Sequence, residues 1–186
     1  MRKTKFYAGI GSRATPNHIL EIMTDLASKL EKDDWVLRSG GATGADTAFE
    51  KGVFSNKNKK IFYANSSNLS GKIGKEAYAT VDYYHPFPTR LSSYARNLMA
   101  RNAFQILGDN LREPSSFVVC WAMDSKWNKE NKIKSVKGGT GQAVRIAYDY
   151  EIEVFNLSHK PHLDRILKYM SSKLPNSLEQ EEQNEI

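Results

Sequence analysis

Two glycine-rich turns, about a hundred residues apart, bring together the residue types that hold phosphate. The first is Ser39-Gly40-Gly41-Ala42-Thr43-Gly44-Ala45-Asp46, directly after the apolar run Trp35-Val36-Leu37. The second is Gly138-Gly139-Thr140-Gly141-Gln142. Each is read as opening a helix. Glycine lets a backbone approach a ligand closely, and the N–H groups at a helix start attract anions. A third turn, Gly9-Ile10-Gly11-Ser12-Arg13, adds a hydroxyl and a guanidinium that suit phosphate or ribose oxygens. A merely structural turn accounts for that short segment as well.

Two carboxylates accompany the first turn. Asp46 falls in the first turn of the following helix, where negative charge favours the dipole, and Glu50 shares its face four residues on. Such a pair is a candidate for acid–base work. It serves equally as a helix cap and a salt-bridged surface group. Arg96-Asn97 and Arg101-Asn102 lie on one expected helix, set about 140° apart by its geometry. Arg96 and Asn97 stand nearer the helix start and are the expected anion-binding pair. The lysines at 126, 129, 132, 134 and 137 precede the second glycine turn, either as a solvated loop or as a cover for a phosphate.

Other chemistries find no support. His18, His85, His159 and His162 are scattered without acidic or thiol partners, so no metal is expected. There is no Gly-x-x-x-x-Gly-Lys-Ser/Thr loop and no Gly-x-Ser-x-Gly elbow. No dedicated cofactor is expected.

The elements that must position these turns alternate. Strands are expected over 5–10, 35–38, 60–64, 116–121 and 153–157. Helices are expected over 17–32, 42–54, 92–107, 141–150 and 163–174. Residues 65–90 read as irregular because Pro86 and Pro88 interrupt them, and 123–137 read as a polar loop. This alternation implies parallel crossovers and a three-layer α/β/α domain over 1–174 with a mostly parallel sheet. In such a sheet, ligands sit beyond the carboxyl ends of the strands. All three glycine turns belong to that edge.

Composition sets the setting. The 186 residues carry a net charge of +6. Residues 175–186 hold four Glu and no Lys or Arg, and are expected to be a disordered acidic tail. The remainder has 27 basic against 17 acidic residues, an excess that suits phosphate-bearing partners. The lone cysteine, Cys120, sits in an apolar run and reads as an inert core thiol. With no apolar stretch long enough to span a bilayer, a cytoplasmic location is expected.

The order Gly11-Ser12-Arg13, Ser39-Gly40-Gly41-Ala42-x-Gly44-x-Asp46, Arg-Asn on a helix, then Gly138-Gly139-Thr140-Gly141 resembles the SLOG superfamily over roughly residues 5–157. That group includes the DNA-processing protein A domain and the cytokinin-activating phosphoribohydrolases, and has small stand-alone members in phages and bacteria. The resemblance implies a Rossmann-like fold and a homo-oligomer, a dimer through helical faces. It departs from the hydrolases where their catalytic glutamate stands, because this chain has Val144 or Arg145 there. It departs from the DNA-processing branch at Phe49, where that branch has histidine. The reading is therefore a nucleotide or nucleotide-derived ligand, sensed or sequestered. Arg13 and Arg96 neutralise its charge, and Asp46 and Thr140 orient its ribose or phosphate. Two alternatives stand beside it. One is single-stranded nucleic-acid binding, which aromatics such as Tyr83, Tyr84 and Trp127 would serve. The other is hydrolysis of an N-glycosidic or phosphoester bond, with Asp46 or Glu50 as the carboxylate.

Overall fold

The computed structural model describes residues 4–123, 126–127, 133–135 and 138–172. Its central sheet contains β1 (Lys5–Gly9), β2 (Trp35–Ser39), β3 (Lys59–Ile61), β4 (Phe117–Cys120) and, later in the chain, β7 (Glu153–Asn156). The spatial order is β3-β2-β1-β4-β7, and every pairing is parallel. Strands buried on both faces read as near-continuous apolar runs, as Phe117-Val118-Val119-Cys120 does.

Alternate residues of β1, β4 and β7 feed two cores. Ala8, Val118 and Val154 point into one, with α3 (Gly71–Tyr84), α4 (Ser93–Leu107) and α5 (Gly138–Asp149) packed over them. Tyr7, Val119 and Phe155 point into the other, covered by α1 (Asn17–Lys32), α2 (Ala45–Gly52) and α6 (Lys160–Ser171). The result is three layers of Rossmann-like α/β type, as the alternation predicts. The order reverses between β1 and β4, so the carboxyl ends of those strands flank the switch point.

Two local expectations are corrected. Residues 65–90 are not irregular throughout, because α3 occupies most of them. Ile73, Ala77, Val81 and Tyr84 repeat at helical spacing and pack on the core. Both prolines lie beyond the last helical residue and never interrupt it. Within 123–137, β5 (Lys126–Trp127) and β6 (Ile133–Ser135) pair antiparallel, Trp127 opposite Ile133. The lysines at 129, 132 and 137 and the acidic segment 175–186 lie outside the described residues.

A buried arginine ties down the chain between α4 and β4. The Arg38 guanidinium is fully buried and lies 3.8 Å over the Phe6 ring. It donates to the Glu113 carbonyl at 2.6 Å and to its carboxylate at 2.9 Å. Such a pair fixes geometry more than it adds stability, because desolvation offsets most of the attraction. Among the described residues, no helix is long and apolar enough to cross a membrane.

Candidate nucleotide or nucleic-acid site

The turns after β1 and β2 pack backbone against backbone. Gly44 has φ 92°, and a Cβ there would lie 2.8 Å from the Arg13 Cα. A Cβ on Gly11 would lie 2.8 Å from the Ala45 methyl and 3.0 Å from the Trp121 N–H nitrogen. Ser12 N–H donates to the Trp121 carbonyl at 3.2 Å. These glycines are required by turn-on-turn packing at the switch point, which binds the first two motifs and the end of β4 into one unit. Arg13 is exposed beside them and has no ion-pair partner among the described residues.

The Gly40–Ala42 part of the first turn spends its N–H groups on the protein's own carboxylates. Gly41 N–H donates to the Glu50 carboxylate at 2.9 Å, and Ala42 N–H donates to the Asp46 carboxylate at 3.3 Å. Asp46 is 2 % exposed. Burial pushes its pKa up to about 6, against the lowering pull of Arg101 and of the turn N–H groups. Burial also raises Glu50, against the Gly41 N–H and the Ser39 hydroxyl. The protein's own carboxylates therefore occupy donors that the sequence alone assigns to phosphate.

α4 ties the two glycine motifs together through adjacent residues. The Arg101 guanidinium donates to the Gly40 carbonyl, and its other terminal nitrogen lies 3.6 Å from the Asp46 carboxylate. Asn102 donates to the Gly139 carbonyl at 3.1 Å and to the Gln142 amide oxygen at 2.8 Å. A Cβ on Gly40 would lie 2.7 Å from the Arg101 Cζ, so the missing side chain seats the guanidinium. Arg96 and Asn97 face elsewhere. Arg96 pairs with Asp82 at 2.7 Å, and Asn97 accepts the Tyr78 hydroxyl at 2.6 Å, both on α3. Nearness to the helix start is a poor guide here. The half of α4 that enters the core carries Ala100, Ala103, Phe104 and Leu107, and Arg101-Asn102 lie within that half.

The second motif forms the first turn of α5 rather than a loop before it. Gly138 has φ 71° with open space around it, and Thr140 is half-buried. Gln142 is fully buried, and its amide nitrogen makes no hydrogen bond among the described residues.

Over Gly40–Ala42 lies a cavity of about 210 Å³, rimmed by Tyr63, Asn65, Tyr94 and Leu98, with Arg101 in its wall. Tyr63 is 51 % and Tyr94 is 68 % exposed. Gly41 has φ 69°, and only a residue without a Cβ leaves room there for the Tyr63 ring. Sequence reasoning missed this rim. Its one signal is the alternation after β3, where Phe62 and Ala64 are buried and Tyr63 and Asn65 are exposed. A larger crevice of about 430 Å³ lies between α1 and α6, rimmed by Asp25, Lys29, Lys32 and Met170. It opens at the amino ends of the strands, away from every glycine turn.

A parallel α/β sheet with glycine turns at its carboxyl edge defines the class of fold. No family model matches the chain, and no curated protein matches it. Among solved structures it is similar to DNA processing protein A from Helicobacter pylori, a structure described for a unique single-stranded DNA binding mode. The two share 17 % identity at a TM-score of 0.52, over 91 % of this chain and 74 % of that one. At that identity the likeness is one of fold.

Proposed function

We propose that this chain binds single-stranded nucleic acid at the carboxyl edge of its sheet, one base lodging between Tyr63 and Tyr94. The observation that carries this reading is the pair of exposed tyrosine rings beside a cavity with a guanidinium in its wall. Stacking on aromatic faces tolerates any base, and arginine adds cation–π and phosphate contacts. The cavity is below the roughly 300 Å³ at which sites for drug-sized ligands begin, so it suits a base rather than a whole cofactor. The basic excess outside the acidic tail supplies the attraction for a polyanion. The fold shared with a protein described as binding single-stranded DNA supports the same reading, as does the motif resemblance to the SLOG superfamily.

The start of α5 favours a second reading, a nucleotide-derived small molecule whose phosphate rests on that helix while its base fills the cavity. Hydrolysis fits less well. Asp46 and Glu50 already hold the turn N–H groups, and neither borders the cavity.

The test is fluorescence anisotropy with a labelled single-stranded oligonucleotide over a salt series. Affinity is expected to fall linearly in log–log form, with a slope of about −0.7 per phosphate neutralised. Tyr94→Ala is expected to weaken binding by about tenfold, as loss of one stacking contact does. Wild-type affinity indifferent to salt would sink the polyanion reading. Competition by a mononucleotide at comparable concentration would favour the small-molecule one.

A further inference from the structure

We propose that Asp46 is a proton-operated latch on this site. Ionised, it holds Arg101 against the glycine turn; protonated, it releases the guanidinium to meet a phosphate. The inference rests on the nucleic-acid reading above and adds to it a control by pH.

The geometry is that of a latch under partial load. Arg101 spans from the pocket wall to the buried acid, bonding the Gly40 carbonyl on the way. Its contact with Asp46, at 3.6 Å, is longer than a hydrogen bond and is held by charge. Its Nε is buried and has no hydrogen-bond partner among the described residues, so the guanidinium is only partly satisfied where it lies. Removing the charge on Asp46 removes the largest charge attraction on the guanidinium, leaving the Gly40 carbonyl and Glu50 to hold it. Few other charges bear on the pair. Arg101 faces Asp46 from α4, and Glu50 faces it from its own helix. The Gly40 and Ala42 N–H groups face it from the β2–α2 turn. Lys59 of β3 acts on Glu50, and both Tyr94 and Glu50 act on Arg101. Burial places the Asp46 titration near pH 6, where a modest change in acidity moves it. Linkage is reciprocal, so a phosphate that draws Arg101 away also raises proton affinity at Asp46.

The experiment measures oligonucleotide affinity from pH 5 to 8 for the wild type, Asp46→Asn and Arg101→Gln. In parallel, the Ala42 amide resonance of the free proteins is followed over the same range. The wild type is expected to bind about tenfold more tightly at the acid end, as gain of one charge-assisted contact implies. Its Ala42 amide should titrate with a midpoint near 6. Asp46→Asn, nearly isosteric, should lack that midpoint and bind tightly throughout. Arg101→Gln should bind weakly with no such rise. Histidine protonation adds charge equally to all three, so the difference between variants isolates Asp46. Oligonucleotide binding with the same pH profile in wild type and Asp46→Asn overturns the latch and leaves the nucleic-acid reading standing. No binding at any pH overturns that reading, and the latch with it.

Discussion

Gly52→Ala is expected to lower the midpoint of thermal unfolding by about 10 °C, the shift that roughly 3 kcal/mol produces in a chain of this size. Gly52 ends α2 where that helix crosses α1. A Cβ there would overlap the Thr24 carbonyl oxygen and stand 2.7 Å from the Ala27 methyl. The obstacle is backbone of a neighbouring helix, which cannot swing aside as a side chain does. The Thr24 hydroxyl also donates to the Ala48 carbonyl at 3.0 Å, so separating the helices breaks a second tie. Glycine normally weakens a helix interior, and alanine would be the better helix former. Packing therefore opposes propensity at this position and is the larger of the two. Differential scanning calorimetry checks it. A rise in the midpoint would mean that α1 and α2 slide apart at little cost.

The same contest between local and long-range causes explains what the sequence discloses. The alternation of strands and helices, the parallel sheet and the glycine turns are legible because each depends on near neighbours. Helix α3 is obscured by two prolines that lie just past its end, although Ile73, Ala77 and Val81 carry its period. The choice of Arg101 over Arg96 depends on which face of α4 meets the β2 turn, a contact 61 residues distant in sequence. The tyrosine rim joins residue 63 to residue 94 and leaves no local trace beyond one exposed aromatic after a strand. Most instructive is the first glycine turn. Its composition matches a phosphate cradle, yet its Gly41 and Ala42 N–H groups are held by Glu50 and Asp46. The carboxylates were legible and so were the donors. Their mutual satisfaction was not, because it depends on the side-chain positions rather than on residue type.

Arg101→Ala is expected to cost about 3 kcal/mol of folding stability at pH 8 and markedly less at pH 5. The side chains of Asp46 and Arg101 are 3 % and 11 % exposed, so truncation strands a buried carboxylate and an unpaired Gly40 carbonyl. The cost is limited by protonation, which is what makes it depend on pH. Folded Asp46 already binds its proton more tightly than the ordinary 3.8, at about 6. Between those values the folded state carries more protons than the unfolded state, and stability falls as pH rises. Removing Arg101 removes the attraction that holds the value down, so in the variant that fall continues to higher pH. The two proteins therefore converge in acid, where Asp46 is neutral in both. They diverge in base, where the variant must either bury an unpaired charge or keep its proton against the solvent. Urea unfolding at the two pH values measures the gap directly. A gap of equal size at both would mean that the loss is one of packing around the guanidinium, and that Asp46 and Arg101 are coupled too weakly for either to control the other.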